Sequence, residues 1–290
     1  MTAKIMDGRL VSGMVKENVR REVDALKEKN VTPRLAAVLV GGDPGSKSYV
    51  SMKRRDCEQV GIHSIIHELP AETGEEELVG LIEDLNADEE IHGVLVQLPL
   101  PRHIDEGRIL EAISPLKDVD GLHPYNIGKL MLGRYGSETP LLPCTPKGIL
   151  RLIDFYGIEV EGKNAVIVNR SNLVGKPLYK MLLDRNATVT LCHSRTRDIE
   201  RHARRADILV SAVGRRFSAE RPFLVTEDMV KEGAVVVDVA NNFFEGKVYG
   251  DADFDRVKEK ASYITPVPGG VGPMTRAMLL ENTLIATKGF

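Results

Sequence analysis

Cysteine is scarce in this chain: Cys57, Cys144 and Cys192 are the only three, odd in number and far apart. That excludes a disulfide framework and a Cys-x-x-Cys metal knuckle. Long apolar runs are missing too, since the run at 35–40 (LAAVLV) falls far below the ~20 residues a membrane span needs. Nor does charge of one sign dominate. The 39 Lys and Arg residues nearly balance 42 Asp and Glu, giving −3 overall and no electrostatic grip on nucleic acid or an anionic membrane. With 26 glycines and 15 prolines, the chain is neither collagen-like nor of low complexity. No internal repeat is visible. The opening MTAKIMDGRL lacks an apolar targeting core and carries Asp7, so a cytoplasmic chain is expected. What is present is ordinary: 42% apolar and 28% charged residues over 290 positions. This suits a globular, enzyme-like chain of about two domains of ~150 residues each.

Hydrophobic spacing sets the organisation. Val11, Met14, Val15, Val19, Val23 and Leu26 recur every three or four residues and predict one buried helical stripe over 11–29. The run at 35–40, ending in Gly41-Gly42, predicts a buried strand and turn, followed by a polar helix over 46–60 and a strand over 64–69. Thr73 and Glu76 make a capping-box pattern ahead of Leu78, Leu81, Ile82 and Leu85. A strand over 93–98 (GVLVQL) stops at Pro99 and Pro101. Alternating strands and helices predict a parallel sheet with covering helices. Residues 115–146, with prolines at 115, 124, 140, 143 and 146, read as active-site loops leading into a linker. Thr145-Pro146 then opens a helix in cap and first-turn order, with Ile149, Leu150, Ile153 and Phe155 facing in. The β-rich runs 165–168, 188–192, 208–213 and 235–239 give the layout of a doubly wound nucleotide-binding domain. After the loop at 266–270, a last helix over 274–286 could return to the first domain.

Between the strand at 165–168 and its helix lies Asn169-Arg-Ser-Asn-Leu-Val-Gly175-Lys-Pro177. A dinucleotide fold needs a tight turn here, so that backbone N–H groups at the helix N-terminus can meet a diphosphate. Only Gly175 keeps the Gly-x-Gly-x-x-Gly spacing, so an ordinary strand-to-helix connection fits as well. The next strand ends Cys192-His-Ser-Arg-Thr196, with hydroxyls and a cation where an NAD site offers a carboxylate. Those groups and Arg170 suit a 2′-phosphate, which favours NADP over NAD. A solvated basic loop is the plain alternative, given Arg197, Arg201, Arg204 and Arg205 downstream.

Tyr49 and Lys53 fall on one face of the 46–60 helix, as a base with a polar partner would or as a surface pair would. Short-chain dehydrogenases place Tyr-x-x-x-Lys after their cofactor-binding strands, the reverse of the order here. Gly41–Ser48 has the outline of a P-loop but carries Ser46 where the pattern needs glycine, which leaves a phosphotransferase as a minor reading. Asp118-Val-Asp120-Gly either offers a carboxylate to a polar ligand or makes a plain Asp-Gly turn. His63 and His67 have no acidic or cysteine ligand set nearby, so no metal is expected. Cys144 is a nucleophile or, more simply, a packed loop cysteine.

Several segments taken together are far more specific. They are VGGDPGSKSYVSMK (40–53), GVLVQLPLP (93–101), PLKDVDGLHPYNIGKL (115–130), PCTPKGI (143–149), RSNLVGKP (170–177), GDADF (250–254) and PVPGGVGPMTRAMLLENT (266–283). In order and essentially end to end, the chain resembles the bifunctional methylenetetrahydrofolate dehydrogenase/methenyltetrahydrofolate cyclohydrolase family. The resemblance implies an α/β fold with an N-terminal three-layer α/β substrate domain over 1–145, on which the C-terminal helix 274–290 packs back. A Rossmann-type NADP-binding domain would cover 146–273, with the active-site cleft between the two. The implied chemistry is NADP-dependent oxidation of 5,10-methylenetetrahydrofolate to the methenyl compound, then hydrolysis to 10-formyltetrahydrofolate. That places the chain in the one-carbon metabolism that serves purine biosynthesis.

The same resemblance assigns roles. Lys53 matches the essential lysine, Tyr49 stacks near the folate, Gln97 hydrogen-bonds the lysine and Asp120 binds the amino edge of the pterin. Val96 and Leu98 flank Gln97 in the substrate segment, and Pro268, Gly269, Gly270, Val271 and Gly272 line the folate pocket, where absent side chains allow close backbone approach. Arg170, Ser171, Ser194, Arg195 and Thr196 match NADP-contacting positions, and Asn169, Gly175 and Asn241 complete the cofactor set. The implied partners are tetrahydrofolate one-carbon substrates and a second copy in a homodimer. A cationic methenyl intermediate beside Lys53 would leave part of its amine neutral and able to handle protons. An amide at Gln97 both donates and accepts, so it can hold that amine in either state.

Two positions depart from the family pattern. Asn169 replaces a glycine at the turn under the diphosphate, and asparagine tolerates unusual backbone angles better than most residues. Ala240-Asn241-Asn242 replaces Gly-Ile-Asn, putting a polar Asn241 where an apolar contact to the nicotinamide side is usual.

Overall fold

The computed structural model describes residues 2–134, 141–214 and 222–289; Pro140 of the expected linker lies outside the described residues. The chain forms two compact units, one of Gly13–Cys144 with Arg276–Phe290, the other of Met1–Ser12 with Thr145–Thr275.

In chain order the first elements are β1 (Lys4–Ile5), α1 (Gly8–Lys27), β2 (Arg34–Val40), α2 (Pro44–Val60), β3 (His63–Leu69), α3 (Glu75–Ala87), β4 (Gly93–Val96), α4 (Glu106–Ala112) and α5 (Pro124–Met131). β2 lies between β3 and β4, parallel to both. A central parallel strand is covered on both faces, which is why 35–40 is apolar without alternation. Ala36, Val38 and Val40 pack with Leu78, Ile82 and Leu85 of α3 and Ile109 of α4. Leu35, Ala37 and Leu39 point the other way and are also buried.

Local chemistry explains where this unit differs from expectation. Val11, Val15, Val19 and Val23 form the buried stripe of α1, while Met14 is 52% exposed. The capping box does not form, because Gly74 takes the cap position. Glu75 and Glu76 instead bind Arg108 at 2.5 and 2.7 Å, and the Thr73 hydroxyl is buried without a partner. The prolines in 115–146 disguise a helix. Pro124 is the first residue of α5, where its missing N–H costs nothing, and the His123 ring accepts from the Tyr125 N–H at 3.0 Å.

The remaining elements are α6 (Cys144–Phe155), β5 (Asn164–Val168), α7 (Gly175–Leu183), β6 (Thr188–Cys192), α8 (Ile199–Ala203), β7 (Ile208–Ser211), β8 (Val235–Asp238), β9 (Asn242–Phe244), β10 (Lys247–Tyr249), α9 (Phe254–Val257), β11 (Tyr263–Ile264) and α10 (Val271–Lys288). Their sheet runs β1-β11-β8-β7-β5-β6, with every pairing parallel. From β5 the chain steps out to β6 and then returns past β5 to β7. Such a reversal in a doubly wound sheet opens a ligand crevice at the carboxyl ends of the two strands.

Residues 1–12, expected with the N-terminal domain, join this unit instead because β1 pairs with β11. α6 starts at Cys144, so Thr145 and Pro146 lie within its first turn rather than at its cap. Leu152 is buried with Ile149, Leu150 and Ile153, whereas Phe155, expected inside, is 42% exposed. β9 and β10 form an antiparallel hairpin that the short runs did not announce. Among the described residues no helix is long and apolar enough to cross a membrane.

Candidate active site

In the unit built on β2, chemistry gathers around Lys53. α2 starts where Pro44 follows Asp43, whose carboxylate accepts the Ser46 N–H at 2.7 Å and is thereby held below the usual range. This cap takes a donor that a P-loop would offer to phosphate and puts a negative charge there instead, which removes the phosphotransferase reading. Three turns of α2 then place half-buried Tyr49 one turn before Lys53, and Lys53 is only 7% exposed. Across from it, the chain leaves β4 with the Gln97 N–H still bonded to the Val38 carbonyl at 2.9 Å.

Lys53 Nζ donates to Gln97 Oε1 at 3.1 Å, and Gln97 Nε2 donates to the Leu98 carbonyl at 2.7 Å. A carbonyl can only accept, so the amide of Gln97 is oriented with its own oxygen toward the lysine. The expectation that Gln97 both donates to and accepts from Lys53 is corrected accordingly, since its NH2 group is turned to Leu98 and only its oxygen faces the lysine. Val96 packs in the core with the α3 residues, so its side chain is not a substrate contact.

The paired aspartates separate cleanly. Asp118 is buried and accepts from the Leu122 N–H, the His123 N–H and Asn126 Nδ2 at 3.1, 2.8 and 2.8 Å. Burial pushes its carboxyl up to about 7. Asp118 therefore fastens the loop to α5. Asp120 is half-buried, and its carboxylate bonds no described residue, so it is the one of the pair open to a ligand. Cys144 is buried with its thiol on the Val119 carbonyl at 3.3 Å, a packed cysteine rather than a nucleophile.

One buried charge cluster escaped the sequence reading. Asp56, one turn beyond Lys53 and 5% exposed, accepts from Lys16 Nζ of α1 and from Arg276 Nε of α10, the latter at 2.6 Å. Arg276 Nη1 also lies 3.1 Å from Met52 Sδ, so this arginine grips α2 on both sides of Lys53. A carboxylate on the buried face of a helix is a signal that some cation must meet it. Nothing in the sequence indicates which one, since Arg276 is 220 positions away.

The loop before α10 differs from expectation. Val271 and Gly272 belong to the first turn of α10, which leaves Pro268, Gly269 and Gly270 as the loop proper. The loop packs against the start of α1: the Gly8 N–H donates to the Gly269 carbonyl at 2.9 Å, and a Cβ at Gly8 would stand 1.7 Å from the Gly270 carbonyl oxygen, while a Cβ at Gly270 would stand 2.7 Å from the Pro266 carbonyl oxygen. These residues lie in the other unit from Lys53 or, for α10, pass from one unit to the other.

In that other unit, the residues expected at a cofactor follow the carboxyl ends of β5 and β6, except Asn241, which follows β8. Arg170, Ser194 and Arg195 are exposed, and their side chains bond no described residue. Thr196 closes the turn after β6, its hydroxyl accepting the His193 N–H at 2.9 Å. Asn241 is exposed between β8 and β9. Asn169 has no positive φ, so tolerance of unusual backbone angles is not its role. Its side chain acts instead, with Oδ1 accepting the N–H groups of Ser171 and Gly175 at 2.7 and 3.1 Å and Nδ2 donating to the Ala212 carbonyl at 2.6 Å. Gly175 is required there, because a Cβ would lie 2.4 Å from the Asn169 carbonyl oxygen.

Two further buried carboxylates shape the loops at this end. Asp251 accepts from the Ser211 hydroxyl and the N–H groups of Val213 and Gly214 at 2.6, 2.8 and 3.2 Å. Asp238 accepts from the N–H groups of Ala240 and Ala252 at 3.0 and 2.8 Å, and burial pushes it up to about 7. Among the described residues no three His, Cys, Asp or Glu side chains group as a metal site would.

Residues 6–120 match the model of the tetrahydrofolate dehydrogenase/cyclohydrolase catalytic domain, and residues 143–289 match that of its NAD(P)-binding domain. The chain belongs to the tetrahydrofolate dehydrogenase/cyclohydrolase family. Within that family it is 53% identical to the bifunctional protein FolD of Moorella thermoacetica, over 99% of this chain and all of the relative. It is 50% identical to that of Nautilia profundicola, over 99% of this chain and 98% of the relative. Among solved structures, the bifunctional FolD of Campylobacter jejuni superposes with a TM-score of 0.94 at 48% identity, covering 99% of each chain. The Trypanosoma brucei enzyme, complexed with NADP and an inhibitor, gives 0.93 at 37% identity over 99% of this chain and 98% of its own. The family's two-domain α/β architecture, with a parallel-sheet nucleotide-binding domain, is the one described above.

Proposed function

We propose that this protein oxidises 5,10-methylenetetrahydrofolate with NADP and hydrolyses the resulting methenyl compound to 10-formyltetrahydrofolate. The Lys53–Gln97 contact, in a chain of this family, carries the reading. NADP held at the β5 and β6 turns would supply the acceptor for the hydride of the methylene carbon. This chain's residues do the rest. Asp120 offers an uncommitted carboxylate to the N–H edge of the pterin ring, and Tyr49 lays a phenol one helical turn from the amine. Water adds to the cationic methenyl carbon and gives up a proton as the ring C–N bond opens.

Lys53 is the group placed to handle that proton. Gln97 engages one lysine N–H and nothing else on the amine, so the remaining valences of Nζ are free for substrate and water. Arg170, Ser171, Ser194, Arg195 and Thr196 supply donors suited to a 2′-phosphate, while Asn169 and Gly175 shape the turn beside them. A homodimer fits the β9–β10 hairpin, which holds Phe243 76% exposed. A cytoplasmic role in supplying formyl groups for purine biosynthesis fits the same chemistry.

The test is Lys53→Met, assayed for hydrolysis of added methenyltetrahydrofolate alongside NADP reduction by the methylene compound. Hydrolysis should be lost. A variant that hydrolyses at the parental rate would remove Lys53 from the mechanism.

A further inference from the structure

The first turn of α7 has already spent the donors on which a doubly wound fold ordinarily seats a diphosphate. The Gly175 N–H goes to Asn169 Oδ1, the Lys176 N–H to the Ser171 carbonyl at 3.0 Å and the Leu178 N–H to the Val174 carbonyl at 3.0 Å, and Pro177 has none. Just upstream, the Ser171 N–H is also taken by Asn169 Oδ1, and the Val174 N–H goes to the Ser171 hydroxyl at 3.1 Å. The other end of the Asn169 amide bonds the Ala212 carbonyl, just beyond β7. One side chain therefore spans from β5 to β7, the pair at which the strand order reverses and a dinucleotide crosses the sheet.

We propose that Asn169 sets the affinity of the cofactor site for the diphosphate that NAD and NADP share. Its carboxamide oxygen stands in for a phosphate oxygen on the α7 turn, so that the diphosphate is held weakly and the 2′-phosphate carries the binding. This rests on the NADP reading above. The compensating donors are the exposed cations Arg170 and Arg195 with the Ser194 hydroxyl, none of which bonds a described residue. Both cofactors share the diphosphate, so Asn169 weakens both alike. NADP alone recovers the loss through its extra phosphate.

Direct binding by titration calorimetry tests this without turnover, using NADP, NAD, ADP and adenosine 2′,5′-bisphosphate as probes. The parent protein should bind adenosine 2′,5′-bisphosphate nearly as well as NADP, and ADP at least about a hundredfold more weakly. Asn169→Gly frees the N–H groups of Ser171 and Gly175. It should tighten NADP, NAD and ADP by a common factor of about ten, the scale of one charge-assisted hydrogen bond. Asn169→Ala, which also lacks the carboxamide, should move all three in the same direction and guards against a glycine that loosens the turn. Asn169→Asp keeps the acceptor but adds a negative charge, and should weaken NADP and NAD equally. Folded Gly and Ala variants that bind no tighter than the parent would overturn the inference and leave the NADP reading standing. A loss for Asn169→Asp confined to NADP would overturn it too, since that places the residue at the ribose. A parent protein that binds no NADP would overturn both.

Discussion

Removing the carboxylate of Asp56 should destabilise the protein more than any other single truncation on α2. Asp56 has a side chain 7% exposed, and it balances Lys16 and Arg276, which are 19% and 20% exposed. Deleting one partner of a buried ion pair costs about 3–5 kcal/mol, because the charge left behind is neither solvated nor paired. Here the two orphaned cations keep some access to water, which lowers the expected cost of Asp56→Ala to roughly 2–3 kcal/mol. At ~2–4 °C per kcal/mol for a domain of this size, the melting temperature should fall by roughly 5–10 °C. The double variant Asp56→Ala with Arg276→Met removes one orphan and should recover part of the loss, which a mutant cycle in urea unfolding would quantify. A cost for Asp56→Ala below about 0.5 kcal/mol, or a double variant no more stable than the single one, would refute this role for the carboxylate.

Gln97→Leu leaves both Lys53 and the Leu98 carbonyl without a partner. Hydrolysis of methenyltetrahydrofolate, followed by its absorbance, should slow by about ten- to a hundredfold, the worth of a hydrogen bond to a charged group; unchanged turnover would contradict the positioning role. For pH, burial raises Asp118 to about 7 from 3.8, so between those values the native carboxyl keeps a proton that the unfolded chain releases. Its contribution to stability is complete below about pH 4 and is lost as pH rises through about 7, at up to ~1.4 kcal/mol per pH unit. Urea unfolding at about pH 5 to 8 should therefore show a decline for the parent protein that Asp118→Asn makes shallower, the similarly raised Asp238 supplying the remainder, and parallel profiles would exclude the effect.

Regular elements were legible wherever burial leaves a periodic trace. β2 is apolar throughout because two parallel neighbours and two helical layers enclose it, and the interior strands β5, β7 and β8 follow the same rule, whereas β6 is an edge strand and alternates Thr with apolar residues. Elements set by single residues were not legible. α5 hides behind Pro124 and a histidine cap, and the Gly74 cap displaces a capping box whose spacing was otherwise right. Lys53, Gln97 and Asp120 could be named from motif resemblance, but the sequence could not tell which of Asp118 and Asp120 is free. Three local donors decide that, and they become countable only once the chain has turned on itself. Asn169 was similarly visible as an odd residue at an important turn. Its effect lies in where a carboxamide points, which no spacing rule records.

The three buried thiols turn the protein into its own gauge of local opening. Cys57, whose thiol burial pushes up to about 12, and Cys144 lie in the unit that holds Lys53, and Cys192 lies at the end of β6 in the other. None reacts without the surrounding structure giving way, so alkylation rates resolved by residue report the opening of each half of the molecule separately. A folate-like ligand should slow labelling of the first pair, and a nucleotide should slow labelling of Cys192, with no probe added to the chain.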